Sequence, residues 1–543
     1  MRKIIGKTLH VARTIRWRLV KLFSNAPMKA EWLFRFTVIL LCILCGLAWY
    51  HRTINMWALK NIGDTFLVKD IGTRQIILGV FQRQKSEQNV NGKFAVIHFL
   101  GDGRMEHPLY CFSKQPDNRY FVSHAAVQRI HRGKRASSDI CSWAGHIAEC
   151  ELEVHTFKEF RIGVTPHVED AMIVTLEQPL RESRHDLVVC MAPMYIYTDW
   201  ETLLVGIETW VALGATKIIV PVQSASTSSY RILQEYEKRG LVIIRTWPKW
   251  PVLSDSNPNG LVLSRGIEES HVNCLFFAKP WANMIVFSDI DDLLLPVDPL
   301  QIKPGINVEI LKNLFAEHPQ AGSLLFEHRD VQFQLPVVQD SPTTLASFNF
   351  NFLTESKHKM NCNVWRMKTR VVVNASRVDS VNMHETGIHR FGYVQTRIPC
   401  RKAHFYHLRH SHHSVPNPLP IDMSELASTL NRQWYARLES FKDFKDVPLN
   451  KSSTESFEDF DRCMGAINDE HWTLHVSRCL TPHVCFSRLK REVDCVATRA
   501  EYDFFRSGSG YFLQTTNVSI TTSDPNCEAP VPQIVAGNHY FAP

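Results

Sequence analysis

Apolar and polar positions change rhythm three times along this chain, and each rhythm predicts a different structure. Residues 36–50 form an unbroken apolar run, FTVILLCILCGLAWY. With Trp32, Leu33 and Phe34 ahead of it, the run approaches the length that crosses roughly 30 Å of hydrocarbon, provided Arg35 snorkels. Trp32, Trp49 and Tyr50 stand where interfacial aromatics belong. After a short stem at 51–63, residues 64–186 carry brief apolar runs (75–81, 94–99, 171–176) between Gly, Asn and Pro, which reads as a small β-rich domain.

From residue 187 strands and helices alternate. LVVCM (187–191) is a buried-strand run, and 200–213 places Leu203, Leu204, Ile207, Trp210 and Val211 at helical spacing before Gly214. KIIVPVQ (217–223) is the next strand. Ser and Thr at 224–229 then cap a helix over 230–239, Gly240 closes it, and LVIIR (241–245) is the third strand. A helix over about 268–277 leads to a fourth strand, MIVFS (284–288). This order predicts an α/β domain over 187–420 with a mostly parallel sheet, whose ligands bind beyond the carboxyl ends of the strands. Residues 421–543 read as a Cys-rich extension with a helical stretch at 423–444.

Charge refines the first segment. The chain has 61 Lys and Arg against 54 Asp and Glu, a formal +7. Residues 1–35 hold nine bases and one acid, Glu31, so the remainder is within one charge of neutral. The excess is thus a topology signal for a type II anchor with a cytoplasmic tail, not a nucleic-acid footprint, and no nucleic-acid partner is expected. Outside the apolar run stand twelve of the 14 cysteines, an even number suited to disulfides in an oxidising lumen, with pairing left open. Sequons at Asn374, Asn450 and Asn517 agree with a luminal body.

The chemistry sits after the fourth strand, at Asp289-Ile290-Asp291-Asp292. Carboxylates crowded at a buried strand tip repel one another, and a divalent cation such as Mg or Mn relieves the repulsion. Asp289 and Asp291 alternate and so share a face. The plainer alternative is a solvated acidic turn. Haloacid-dehalogenase-type phosphatases also set an Asp-x-Asp after a strand, but with Thr where Leu293 stands. Further along, Trp365, Lys368, His384, His407 and Arg409 offer an aromatic, metal ligands (His384, His407) and cations for phosphate (Lys368, Arg409). Trp247, Trp250 and Trp365 are candidates for stacking on sugar, although core packing is the commoner fate of Trp. Glu327 and Glu385 are the carboxylates positioned for a general base.

The order VVCMAPMY, LGATKIIVPVQS, YEKRGLVII, FSDIDDLLLP, KTRVVVN, His384 and HLR resembles glycosyltransferase family 92 over roughly 187–410. The resemblance implies a GT-A fold and a type II Golgi membrane enzyme. It also implies metal-assisted transfer, with Mn²⁺ or another divalent ion, of a hexose from a UDP-sugar to a glycan on glycoprotein or glycolipid. Galactose is the implied sugar, with inversion at C1. In this sequence Asp289 and Asp291 match the family's Asp-x-Asp and would hold the metal, with Asp289 also bridging to the diphosphate. Asp292 stands where a Glu is commoner, and His384 and His407-Leu408-Arg409 match later blocks. A luminal lectin-like or scaffold protein on a decayed transferase fold is the non-enzymatic alternative.

Overall fold

The computed structural model describes residues 35–48, 73–87, 90–131, 141–153, 157–177, 184–333, 344–358, 369–409, 419–447, 449, 463, 466, 479, 493–523 and 527–536. Residues 73–543 form one compact unit and residues 1–72 another. In the first unit the described stretch, 35–48, is helical with its side chains exposed. At 1.5 Å per residue those residues cover about 21 Å. Among the described residues no helix is long and apolar enough to cross a membrane. The expected anchor at 36–50 therefore finds no support among the described residues, whose helical stretch of 35–48 is shorter than a membrane span; residues 49 and 50 lie outside them.

In the second unit the chain opens with a β-hairpin, β1 (Arg74–Glu87) and β2 (Val90–Asp102), and continues to β3 (Trp143–Leu152), which lies antiparallel on β2. Then comes the α/β succession. β4 (His185–Met191), α1 (Trp200–Ala212), β5 (Lys217–Val222), α2 (Thr227–Lys238) and β6 (Val242–Thr246) follow in order. After α3 (Ile267–Ala278) come β7 (Ala282–Ser288), β8 (Asp292–Leu295), α4 (Ile306–Glu317) and β9 (Ala321–Gln332). β10 (Thr369–Asn374), β11 (His404–Arg409), α5 (Ser424–Ser440), β12 (Cys495–Ser507) and β13 (Gly510–Thr522) complete the elements used below.

The sequence signals for these elements are local. Asp199 caps α1 by accepting from the Thr202 amide at 3.0 Å, and Ser226 caps α2 by accepting from Ser229. In the larger sheet β6, β5, β4 and β7 run parallel in that spatial order. The chain adds strands outward from β4 to one side, then returns to place β7 on its other flank. β10 and β9 extend that flank, with β10 antiparallel to both of its neighbours. The sheet is α/β and mixed, parallel over four strands.

The described parts of residues 421–543 pack into both halves of this unit, as a helix on the α/β core and as strands of the amino-terminal sheet. α5 buries Leu426, Leu430, Trp434 and Leu438 in the core shared by α1, α2 and the α/β sheet. β12 and β13 form a hairpin that completes the amino-terminal sheet, where β13 runs parallel to β1 with Arg74 opposite Tyr511. Between the two sheets lies α3, every residue of which is buried. Disulfides Cys111–Cys150, Cys141–Cys479, Cys190–Cys274 and Cys495–Cys527 form, the third tying β4 to α3. Cys400 and Cys463 are also disulfide-bonded.

Candidate active site

A doubly wound sheet opens a crevice where neighbouring strands send their connections in opposite directions. Here that point lies between β4 and β7, whose ends Met191 and Ser288 are paired in register. The chain leaving β7 turns through Asp289, Ile290 and Asp291, then pairs β8 with β11 so that Asp292 faces His407. The Leu408 amide donates to the Asp291 carbonyl at 2.8 Å and holds the turn against β11. From the other side α1 comes close enough that a Cβ at Gly206 would overlap the Ile290 carbonyl oxygen. Glycine at 206 thus lets the helix rest directly on the acidic turn.

Oxygens of Asp289, Asp291 and Asp292 lie within 4.8 Å of one another, as do ligand atoms of Asp292, His328 and His407. The three carboxylates are not equivalent. Asp292 is fully buried, paired with the Arg370 Nε and with His407 Nδ1 at 2.6 Å. Burial would raise its pKa, but Arg370, His407 and His328 outweigh that and hold the carboxyl well below its usual range. Asp291 goes the other way. Burial pushes it up, His407 pulls against this, and the charges of Asp292 and Asp289 add to the rise. Asp289 is a third exposed and paired with the other arm of Arg370.

One guanidinium therefore serves two carboxylates; with all three acids ionised Arg370 by itself leaves two formal negative charges, one of which a protonated His407 would answer. That excess, presented by hard oxygen donors, fits a divalent cation of the Mg²⁺ or Mn²⁺ type. Asp289 and Asp291 offer the outward oxygens, while Asp292 is engaged by the protein.

Of the sequence-predicted residues, Asp289, Asp291 and His407 come together. His407 stacks on His328, ring centroids 4.6 Å apart. His384 stands apart from these groups, its Nδ1 3.3 Å from Arg370 Nη1 and 3.0 Å from the Thr369 carbonyl oxygen. It flanks the guanidinium instead of the acids. Glu327 is buried and ion-paired with Arg329, so its carboxylate is spent inside the protein and ill placed to accept a substrate proton. Glu385 is half-buried, beside the turn where the Asn382 amide donates to its carbonyl.

Trp365 and Lys368 lie outside the described residues, as does the Arg409 side chain, although its backbone ends β11. Trp247 and Trp250 pack in the core beside Trp143 and Tyr502, which is the ordinary fate of Trp. Asn517 is exposed on β13, Asn374 is half-buried with its Oδ1 accepting from Ser376, and Asn450 is outside the described residues.

Arg370 and His328 are the residues that sequence reasoning did not place in the site. For Arg370 the available signal was a charge in a strand otherwise reading Val-Val-Val, which demands a buried counter-ion.

The sequence profile of glycosyltransferase family 92 matches residues 185–457. The Caenorhabditis elegans glycosyltransferase family 92 protein F59C6.8 is 25% identical over 277 residues, covering 50% of this chain and 49% of that protein. A second from the same organism, ZK381.2, is 22% identical over 291 residues, covering 52% and 51%. The chain thus spans about half the length of the curated relatives it matches. S. aureus TarS 1-349 in complex with UDP-GlcNAc is similar over 47% of this chain and 73% of its own at 9% identity, but its TM-score of 0.24 is too low to carry an argument.

Proposed function

The chain belongs to glycosyltransferase family 92, and on that premise we propose that the acidic turn after β7 is the donor-phosphate site of a GT-A-type hexosyltransferase. The enzyme moves a hexose, galactose first among the candidates, from a UDP-sugar to a hydroxyl of a glycan on glycoprotein or glycolipid. The observation that carries the reading is the cluster of three carboxylates, Asp289, Asp291 and Asp292, gathered round a single guanidinium after β7.

Asp289 and Asp291 are the residues that would hold Mn²⁺ or another divalent ion, which supplies positive charge against the developing UDP leaving group. The chain's own residues do the rest. Arg370 fixes Asp289 and Asp292 in place, and His407 bonds the Asp292 carboxylate. An acceptor hydroxyl, deprotonated by a carboxylate, attacks the sugar C1 opposite the UDP and inverts it. With Glu327 engaged by Arg329, Glu385 is the remaining base candidate.

The test uses the full chain in detergent, Mn²⁺, a panel of UDP-sugars and a glycan array. UDP release accompanied by the mass of one hexose on an acceptor is the expected result. No transfer with any pair would overturn the enzyme and leave a lectin-like or scaffold role.

The compartment proposed is the Golgi lumen, which the disulfides support. The charge of residues 1–35 supports a type II anchor at 36–50. Retention in the membrane pellet after alkaline carbonate, with loss of an N-glycan in Asn517→Gln, is expected. Release into the supernatant would remove the anchor.

A further inference from the structure

β9 and β11 bring a pair of imidazoles to the acidic turn that Asp289 and Asp291 leave unused. β9 changes partners partway along, pairing with β10 as far as Glu327 and with β11 from His328 onward. At that change the register sets one face. Phe326 lies opposite Arg370, Asp330 opposite His407, and His407 opposite Asp292. Directly paired residues share a face, and so do residues two apart on a strand. His328 and Asp330 of β9, His407 of β11 and Asp292 of β8 therefore project together, on the side where Arg370 stands.

The contacts make this face a ligand set. One oxygen of the buried Asp292 carboxylate, Oδ2, takes the Arg370 guanidinium, and the other, Oδ1, is approached by two imidazoles. His407 Nδ1 stands 2.6 Å from Oδ1 and His328 Nδ1 4.0 Å from it. The rings stack with centroids 4.6 Å apart and planes 23° from parallel. Ligand atoms of the three residues all lie within 4.8 Å of one another. A hydrogen bond to Oδ1 needs only His407. His328 is too far to bond that oxygen, yet its separation is one that two ligands of a single ion have, since ligands about 2.0–2.1 Å from a cation stand about 3–4 Å apart. One proton on the imidazole pair answers Asp292, whereas two would set like charges face to face.

Both ends of the set are held from behind. Arg370 fixes Asp292 through Oδ2, and the far nitrogen of His328, Nε2, is 3.9 Å from Asp330 Oδ1. A carboxylate behind the second ring nitrogen is what orients a metal-bound histidine. Donor chemistry separates this set from the acid pair beside it. Asp289 and Asp291 are hard oxygens suited to Mg²⁺ or Mn²⁺, whereas two imidazoles and one carboxylate suit a borderline transition ion.

We propose that Asp292, His328 and His407 form a second cation site, which takes a transition ion of the Zn²⁺ class and adjoins the donor site through Asp292. The ion replaces the proton between His407 Nδ1 and Asp292, which leaves to solvent, and both imidazoles bind as neutral ligands. It joins β8, β9 and β11. The site is a property of the protein alone and stands whether or not the donor reading holds, which UDP binding with Mn²⁺ judges separately.

Calorimetric titration of Zn²⁺ alone, without nucleotide, into the metal-stripped full chain in detergent tests it. His410→Gln, His412→Gln and His413→Gln are present throughout, so that zinc taken by that neighbouring run is not counted. One Zn²⁺ per chain is expected, retained against about a thousandfold excess of Mg²⁺. His328→Phe, which keeps a stacking ring and removes both nitrogens, should weaken Zn²⁺ at least about 10-fold, and Asp289→Asn should leave it within about threefold. No uptake by the parent protein, or parent affinity in His328→Phe, would overturn the site. So would loss in Asp289→Asn with retention in His328→Phe, which would put the ion on the acid pair. If His328→Phe does not fold, the spin-echo spectrum of Cu²⁺ bound to the parent at one equivalent decides. Couplings to two imidazoles support the site, and couplings to fewer overturn it.

Discussion

Two of the buried charge clusters among the described residues are finished differently. At the end of β7, Arg370 pairs with Asp289 and Asp292 while Asp291 stands beside them without a share of the guanidinium, and acid is left over. Behind the sheet Asp379 is met by Lys279, by Arg83 at 3.1 Å and by Arg390 at 3.5 Å, while Arg83 also reaches Glu149 at 2.9 Å. There the cations outnumber the acids. The surplus is absorbed internally, because burial lowers Lys279 to about 7, with Arg390 and Arg83 adding to the shift against Asp379. One cluster closes itself and ties β1 to the 378–381 strand. The other is left with more acid than its one arginine answers, the arrangement a cation would complete. Buried charge by itself does not mark a site, whereas an excess that the protein cannot discharge does.

Breaking the closed cluster should give the largest effect. Asp379→Asn takes the shared acid from three buried cations, of which Arg83 keeps Glu149, and a loss of about 3–5 kcal/mol is expected in chemical denaturation. Asp291→Asn should act in the opposite sense on stability and strongly on function. Turnover falls at least about 100-fold, near 3 kcal/mol in barrier. The unfolding temperature holds or rises, because burial already disfavours the ionised form. Loss of both folding and turnover would mean that Asp291 is structural.

Gly206→Ala probes the support of the open cluster without altering its charge. The added methyl meets the Ile290 carbonyl, so a loss of about 1–3 kcal/mol and a raised Mn²⁺ requirement are expected. Wild-type Mn²⁺ dependence would show that α1 does not hold the turn.

Lys279→Met is the mildest change, since Asp379 keeps both arginines. Lys279 titrates near 7 in the folded protein and about 10.5 unfolded, so the unfolded chain binds the extra proton between those values. Wild-type stability should therefore gain on the variant as pH rises from 7 toward 10, by up to about 1.4 kcal/mol per unit. Parallel pH profiles would remove Lys279 from the account.

Much of the α/β region was legible locally. The runs at 187–191, 217–223, 241–245 and 284–288 are strands because continuous β-branched and aliphatic stretches bury on both faces, and the helices between them carry readable caps. The helix at 423–444 is shorter than its pattern, ending at Ser440, because Phe441 leaves the helix to join the core on a tighter turn. Within the site, Asp289 and Asp291 could be read from their place after a strand. His384 could not be separated from His407, since spacing does not say which strand lies beside which. Glu327 looked available because nothing in its local pattern reveals that Arg329, two residues on, curls back to it inside the sheet.

The sequence by itself determined the order of strands and helices, the acid pair at a strand end and the amino-terminal charge asymmetry, because each is written in neighbouring residues. Tertiary structure alone decided that β12 and β13 complete a sheet begun some 400 residues earlier with β1, and that Cys141 pairs with Cys479. It also decided that Arg370 answers two of three carboxylates, and that His407 of β11 bonds Asp292 across from it on β8. The physical reason is common to all four. Pairing of strands, thiols and charges is settled by distance in space, and periodicity along a chain carries no record of it.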